Sequence, residues 1–145
     1  MAYSGKFSPQ NPKKYRGDPT NIIFRSLWER RVMVYLDQNT TVLEWNSEEI
    51  IIPYLSPVDN RWHRYFPDFW VRTKDGVMII EVKPEKQGLA PQVKKRATKK
   101  YINEVVTYGV NMAKWKAADE YCLDRGWKFK AITLEENAFR EIKWK

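Results

Sequence analysis

The chain has 145 residues, 43% of them hydrophobic and seven of them tryptophan. That suits one folded domain with a real core and excludes a disordered tail or two ordinary domains. A net charge of +8, from 26 Lys+Arg against 18 Asp+Glu, points to a polyanionic partner, either nucleic acid or an anionic surface. No run approaches the length of a membrane span, and the polar start from Met1 to Asp18 lacks the apolar centre of a signal peptide. The single cysteine, Cys122, excludes an internal disulfide, suits a reducing compartment and is read as a small buried apolar residue.

In chain order, residues 1–19 carry Gly5, Pro9, Pro12, Gly17 and Pro19 and are expected to form an extended basic N-terminal arm, with the folded domain at 20–145. A helix is expected from Thr20 or Asn21, either of which can cap it, to about Asp37. Ile50 to Tyr54 reads as a β-branched strand, and Trp62 to Arg72 as a second, interrupted near Pro67. Lys74-Asp75-Gly76 reads as a hairpin turn, since Asp-Gly supplies the positive backbone angles a tight turn demands. Val77 to Lys83 is the third strand, stopped by Pro84 and a loop from Gly88 to Pro91. Helical pattern resumes from about Gln92 to Tyr108 and again from Asn111 to Arg125, with Gly126 as a C-terminal cap. Trp127 to Thr133 alternates like a fourth strand, and the tail after Glu135 is left unassigned. The order helix, three strands, helices, strand predicts an α/β fold with a mixed sheet flanked by helices.

The positive charge is unevenly spread. Residues 1–16 hold Lys6, Lys13, Lys14 and Arg16 with no acid, and residues 83–100 hold seven cations against Glu85 alone.

Two short motifs carry chemistry: Pro67-Asp68 at the start of an apolar stretch, and Glu81-Val82-Lys83 at the end of the next strand. Alternation puts Val77, Ile79, Glu81 and Lys83 on one face, so the acid and the amine project together after apolar anchors. Antiparallel pairing across the hairpin can bring Asp68 close to Glu81. Two hard carboxylates suit Mg²⁺, and an adjacent amine can orient water or offset charge in a phosphodiester transition state. On the first helix, Glu29 shares an arc with Ile22, Val32, Met33 and Leu36, so it should face the sheet. A buried acid there wants a partner, either a metal site at the sheet edge or an ion pair with Arg25 one turn earlier.

Ser26-x-x-Glu29 on a leading helix, Pro67-Asp68 and Glu81-x-Lys83 together resemble the PD-(D/E)XK nuclease superfamily, whose restriction-endonuclease-like core has the same order of elements. Phe24-Arg25-Ser26-Leu27-Trp28-Glu29 and the segment Lys114-Trp115-Lys116-Ala117-Ala118 to Gly126-Trp127 resemble TnsA-like transposon endonucleases. The opening Tyr3-Ser4-Gly5-Lys6-Phe7 and Lys14-Tyr15-Arg16-Gly17-Asp18 resemble the head-completion nucleases of T4-type tailed phages. The resemblance implies that 20–145 is a nuclease domain, with Asp68 and Glu81 as metal ligands and the Val82 carbonyl as a third. Lys83 would be the catalytic amine, and Glu29 would complete the site directly or through water. It implies Mg²⁺, with Mn²⁺ substituting, and action on packaged DNA before head–tail joining, in the host cytoplasm and next to portal or neck proteins.

Lys94, Lys95, Arg96, Lys99 and Lys100, read as two helical turns, form a candidate phosphate-gripping surface. Arg25, Arg61, His63 and Arg64 are further candidate DNA contacts. Trp62, Trp70, Trp115 and Trp127 are most simply core. Two rivals stand beside the nuclease: a non-enzymatic connector that binds DNA or portal, and a transposon-end or junction endonuclease.

Overall fold

Alternation and turn chemistry agree most fully at the centre of the chain, and there the expected hairpin forms. In the computed structural model, which describes residues 4–83 and 91–133 (backbone alone at Lys83 and Thr133), strand β6 is Phe69–Thr73 and β7 is Gly76–Lys83. They pair antiparallel from Phe69 opposite Ile80 to Thr73 opposite Gly76. Gly76 has φ 141°, and a Cβ there would face open space, so the glycine is required by backbone angle alone.

Two further strands complete the central sheet. Val42–Ser47 (β3) pairs antiparallel with β6, and Lys128–Thr133 (β8) pairs parallel with β7, giving the order β3-β6-β7-β8. The parallel pair needs a crossover, and helix α2, Lys99–Arg125, supplies it. Helix α1, Leu27–Gln38, covers one sheet face. Its Val32, Met33 and Leu36 meet Trp45, Phe69, Val71, Met78 and Ile80 in one apolar cluster. On the other face Trp70 and Ile79 pack against Cys122 of α2. The fold is thus a mixed sheet between helices, an α/β restriction-endonuclease-like core as expected. Among the described residues no helix is long and apolar enough to cross a membrane.

Several elements differ from the sequence expectations. The first sheet strand is Val42–Ser47, not Ile50 to Tyr54. The second expected strand, Trp62 to Arg72, divides: Trp62–Tyr65 (β5) pairs with Ile52–Leu55 (β4) as a separate two-stranded sheet, packed through Ile52, Tyr54 and Tyr65 on Ala118 of α2. The first helix starts at Leu27 because Ser26 caps it, its hydroxyl accepting from Glu29 N. The preceding Ile22–Phe24 is strand β2, paired with Gly5–Phe7, strand β1. Residues Gln92 to Arg125 hold one helix instead of two. It starts after its cap Thr98 and passes through Gly109, where a Cβ would meet Pro57 at 3.8 Å. Its end is as expected: Gly126 adopts φ 72° and ties back to Cys122 and Leu123.

The expected N-terminal arm is folded onto the domain. Phe7 and Tyr15 are buried in the α1-side cluster. Lys14 Nζ donates to the carbonyls of Leu36, Asp37 and Asn39 at 2.8–2.9 Å, satisfying acceptors that the end of α1 leaves open. Asp37 in turn accepts from Gln10 N and Asn11 N. The expectations for Met1 to Tyr3, for the loop at 84–90 and for the tail after Glu135 lie outside the described residues.

Candidate active site

The register of the β6–β7 hairpin decides where the two motifs meet. Phe69 stands opposite Ile80, so one step further along the ladder sets Asp68 opposite Glu81. Asp68 is fixed from two sides. Its carbonyl accepts from Glu48 N at 3.1 Å, and its Oδ2 accepts from Val82 N at 2.7 Å. Glu81 is fixed by Tyr65, whose buried hydroxyl donates to Glu81 Oε2. Lys114 of α2 lies over the same tyrosine, with Nζ 5.7 Å from the Tyr65 ring centroid and 5.8 Å from that of Tyr54.

Partial burial of this carboxylate pair has an electrostatic cost. Burial pushes Glu81 up to about 7, against the pull of hydrogen bonds from Tyr65 and with Asp68 and of the Lys114 charge. Burial and then the facing Glu81 raise Asp68 well above the ordinary carboxylate range, with the Val82 N–H opposing. Two such groups ionise together only if a cation neutralises them. Their oxygens are hard donors of the kind Mg²⁺ and Mn²⁺ take. Each acid has one oxygen held by a protein donor, Val82 N or Tyr65 O–H, and a second oxygen not used by that bond. The Val82 carbonyl leaves the strand on the same edge as its N–H, the edge that Asp68 occupies. A divalent cation fits this donor set.

The other expected members stand differently. Glu29 is not part of the pair: among the described residues no three His, Cys, Asp or Glu side chains converge at metal-holding distances. Its Oε2 accepts instead from Arg25 N at 3.1 Å, while its own N–H donates to Ser26 Oγ. This is the reciprocal arrangement of a capping box, displaced by one residue. Glu29 still lies near enough for its charge to raise Asp68, and burial raises Glu29 itself. The expected Arg25–Glu29 ion pair is replaced by one between the Arg25 guanidinium and Glu48, at 3.1–3.3 Å. The Lys83 side chain lies outside the described residues; its backbone ends β7 opposite Thr133.

Sequence reasoning passed over three neighbours of the pair. Tyr65 carries the signal of alternation, since it falls on the inward side of β5. Glu48 sits at φ 56°, a left-handed angle uncommon for glutamate; nothing local in the sequence announces it. Lys114 reaches the site only through the long crossover helix.

Residues 39–134 match the family model described as TnsA-like endonuclease N terminal. The chain belongs to the TnsA-like endonuclease family. It is also similar to the head completion nuclease of Enterobacteria phage T4, 40% identical over 150 aligned positions that span 100% of this chain and 99% of that protein. No solved structure matches. The matched part of this TnsA-like endonuclease holds Asp68, Glu81 and Lys83, whereas Glu29 precedes it.

The candidate DNA contacts are exposed but divide into separate groups. Arg61, His63 and Arg64 lie at β5, with His63 Nε2 paired to Asp59 Oδ2 at 2.8 Å and Arg64 6.0 Å from the Phe66 ring centroid. Lys94, Lys95 and Arg96 precede α2 in a non-helical segment, and Lys99 and Lys100 open it, so the expected two-turn helical surface is not formed. Of the four tryptophans read as core, Trp70, Trp115 and Trp127 pack into apolar clusters. Trp62 does not: it is 71% exposed.

Proposed function

We propose that this TnsA-like endonuclease hydrolyses DNA phosphodiester bonds with a divalent cation, Mg²⁺ or in its place Mn²⁺, held by Asp68, Glu81 and the Val82 carbonyl. The observation that carries this is the part-buried Asp68–Glu81 pair, both acids raised by burial, Asp68 also by the facing Glu81, and each anchored through one oxygen. Such a pair is costly unless it serves a ligand of opposite charge. A bound cation supplies polarisation of a phosphoryl oxygen and a lowered pKa for a nearby water. Tyr65 and Val82 orient the acids that hold it. Lys114 adds positive charge beside Glu81. Glu29 acts through water from the start of α1, and Lys83, two residues beyond Glu81, supplies the amine that orients the attacking water or offsets charge as the bond breaks.

The biological setting follows from the similarity to a head completion nuclease. On that basis the chain processes packaged DNA during phage head completion, in the host cytoplasm and beside portal or neck proteins. The direct test is nicking of supercoiled plasmid. Wild type is expected to cut with Mg²⁺ and to stop in EDTA, and Asp68→Ala or Glu81→Ala is expected to lose on the order of a thousandfold or more in rate. Equal cutting by all three proteins overturns the assignment.

A further inference from the structure

The strand that leads into Asp68 carries a second pattern that metal chemistry does not use. From Trp62 to Arg64 every residue is exposed, His63 included, and from Arg64 to Pro67 exposed and buried residues alternate. Tyr65 and Pro67 are buried, while Trp62, Arg64 and Phe66 are exposed. Trp62 is 71% and Phe66 42% exposed, and the Arg64 guanidinium lies 6.0 Å from the Phe66 ring centroid. Beyond Tyr65 the chain leaves the strand and passes through Phe66 and Pro67 directly to Asp68. On the neighbouring strand Leu55 stands opposite Trp62 and Pro53 opposite Arg64, both exposed. Arg61 adds a second cation beside Trp62.

A large aromatic left in water costs hydrophobic free energy and gains nothing for the fold. Aromatic, cation, aromatic at every second residue is what a single nucleic-acid strand needs: ring faces for bases and a guanidinium for the phosphate between them. Duplex DNA hides its base faces by stacking, so it presents them only at ends, flaps and gaps. We propose that Trp62, Arg64 and Phe66 form a track that holds an unpaired DNA strand and delivers it to Asp68, so that DNA with a single-stranded tail is the preferred substrate. The preference for tailed DNA rests on the stripe itself; its link to cutting rests on the proposed role of Asp68. Trp62 and Phe66 are separated by at most about 14 Å of chain. Trp62 and Asp68 are separated by at most about 21 Å of chain, or about six base steps at the spacing of a DNA strand.

The test compares binding of full-length wild type, Trp62→Ala, Trp62→Phe and Phe66→Ala to labelled DNA in EDTA, where no cleavage interferes. The probes are one blunt duplex and the same duplex with a 3′ or a 5′ single-stranded tail. Wild type is expected to bind a tailed duplex more tightly than the blunt one. Trp62→Ala is expected to weaken tailed binding about tenfold while leaving blunt binding within about twofold, Phe66→Ala to act in the same direction, and Trp62→Phe to keep most of the affinity. Equal wild-type binding to blunt and tailed DNA overturns the proposal. So does a parallel loss on both DNAs, or unchanged tailed affinity in Trp62→Ala and Phe66→Ala, the result expected if the stripe docks a protein. Trp62-dependent tail binding by a chain that never cuts would support the track while removing the nuclease assignment.

Discussion

Two hairpins of similar length sit side by side in this molecule and do opposite things with their side chains. The β6–β7 hairpin lies in the middle of the sheet, covered on both faces, and turns its ionisable residues into a part-buried corner at the open end. The β4–β5 hairpin stands outside the sheet, covered on one face mainly by α2, and turns aromatic and basic residues outward to solvent. Coverage makes the difference. With both faces packed, the ends of β6 and β7 are where polar chemistry can sit, and register then fixes which acids meet. With one face free, every second residue is available to a partner, and position along the strand decides what it can touch.

Stability breaks the comparison most sharply. Ile80 is fully buried in the central hairpin and Leu55 is 44% exposed in the outer one. Ile80→Ala is expected to cost about 2–5 kcal/mol in urea unfolding. Leu55→Ala is expected to stay near 0.5 kcal/mol. Similar losses at both sites would mean that the outer face is packed in solution.

The acid pair sharpens it through pH. Glu81 rises from an ordinary value of 4.5 to about 7 on folding, and Asp68 moves in the same direction. The folded chain therefore holds more protons than the unfolded chain between those values. The associated stability is present below the unfolded pKa values and is lost as pH climbs through the folded ones. Without divalent ions, thermal midpoints are expected to fall between pH 5 and pH 8, as stability drops by on the order of a few kcal/mol. Asp68→Asn should flatten that fall, and Mg²⁺ should offset it at pH 8. A midpoint indifferent to both pH and Mg²⁺ would show that the acids do not confront one another.

A smaller effect tests how the two hairpins join. Tyr65 belongs to the outer hairpin but reaches inward to Glu81, so Tyr65→Phe removes one hydrogen bond without opening space. Mn²⁺ binding measured by calorimetry is expected to weaken about 10- to 100-fold, with the melting curve little changed. Unaltered Mn²⁺ affinity would make Tyr65 a packing residue only.

The central hairpin was legible in the sequence because the local cues there agree on its place: alternation from Val77 to Lys83 and a tight turn at Lys74-Asp75-Gly76, although Gly76 alone takes a positive φ and it already pairs with Thr73 as the first residue of β7. The pairing of Asp68 with Glu81 came with it. What was not legible depends on partners distant in sequence. Ile22–Phe24 falls on a helical arc and became a strand because Gly5–Phe7 pairs with it. Val42–Ser47 hides behind a register shift between Val42 and Glu44 and behind buried Asn46 and Ser47, while the more apolar Ile50 to Tyr54 looked the better strand. Glu29 was placed on the inward side correctly in phase, but its carboxylate is engaged by backbone at the helix start. Trp62 was misplaced because an aromatic in a strand is usually core, and only the missing cover on the outer hairpin shows otherwise.

The central claim is that Asp68 and Glu81 exist to hold a divalent cation. A crystal soaked in Mn²⁺ and measured at a wavelength where manganese scatters anomalously tests it most directly. The account predicts an anomalous peak between the two carboxylates, in contact with both and with the Val82 carbonyl. A peak elsewhere, or none with the two acids sharing a proton at neutral pH, would contradict it.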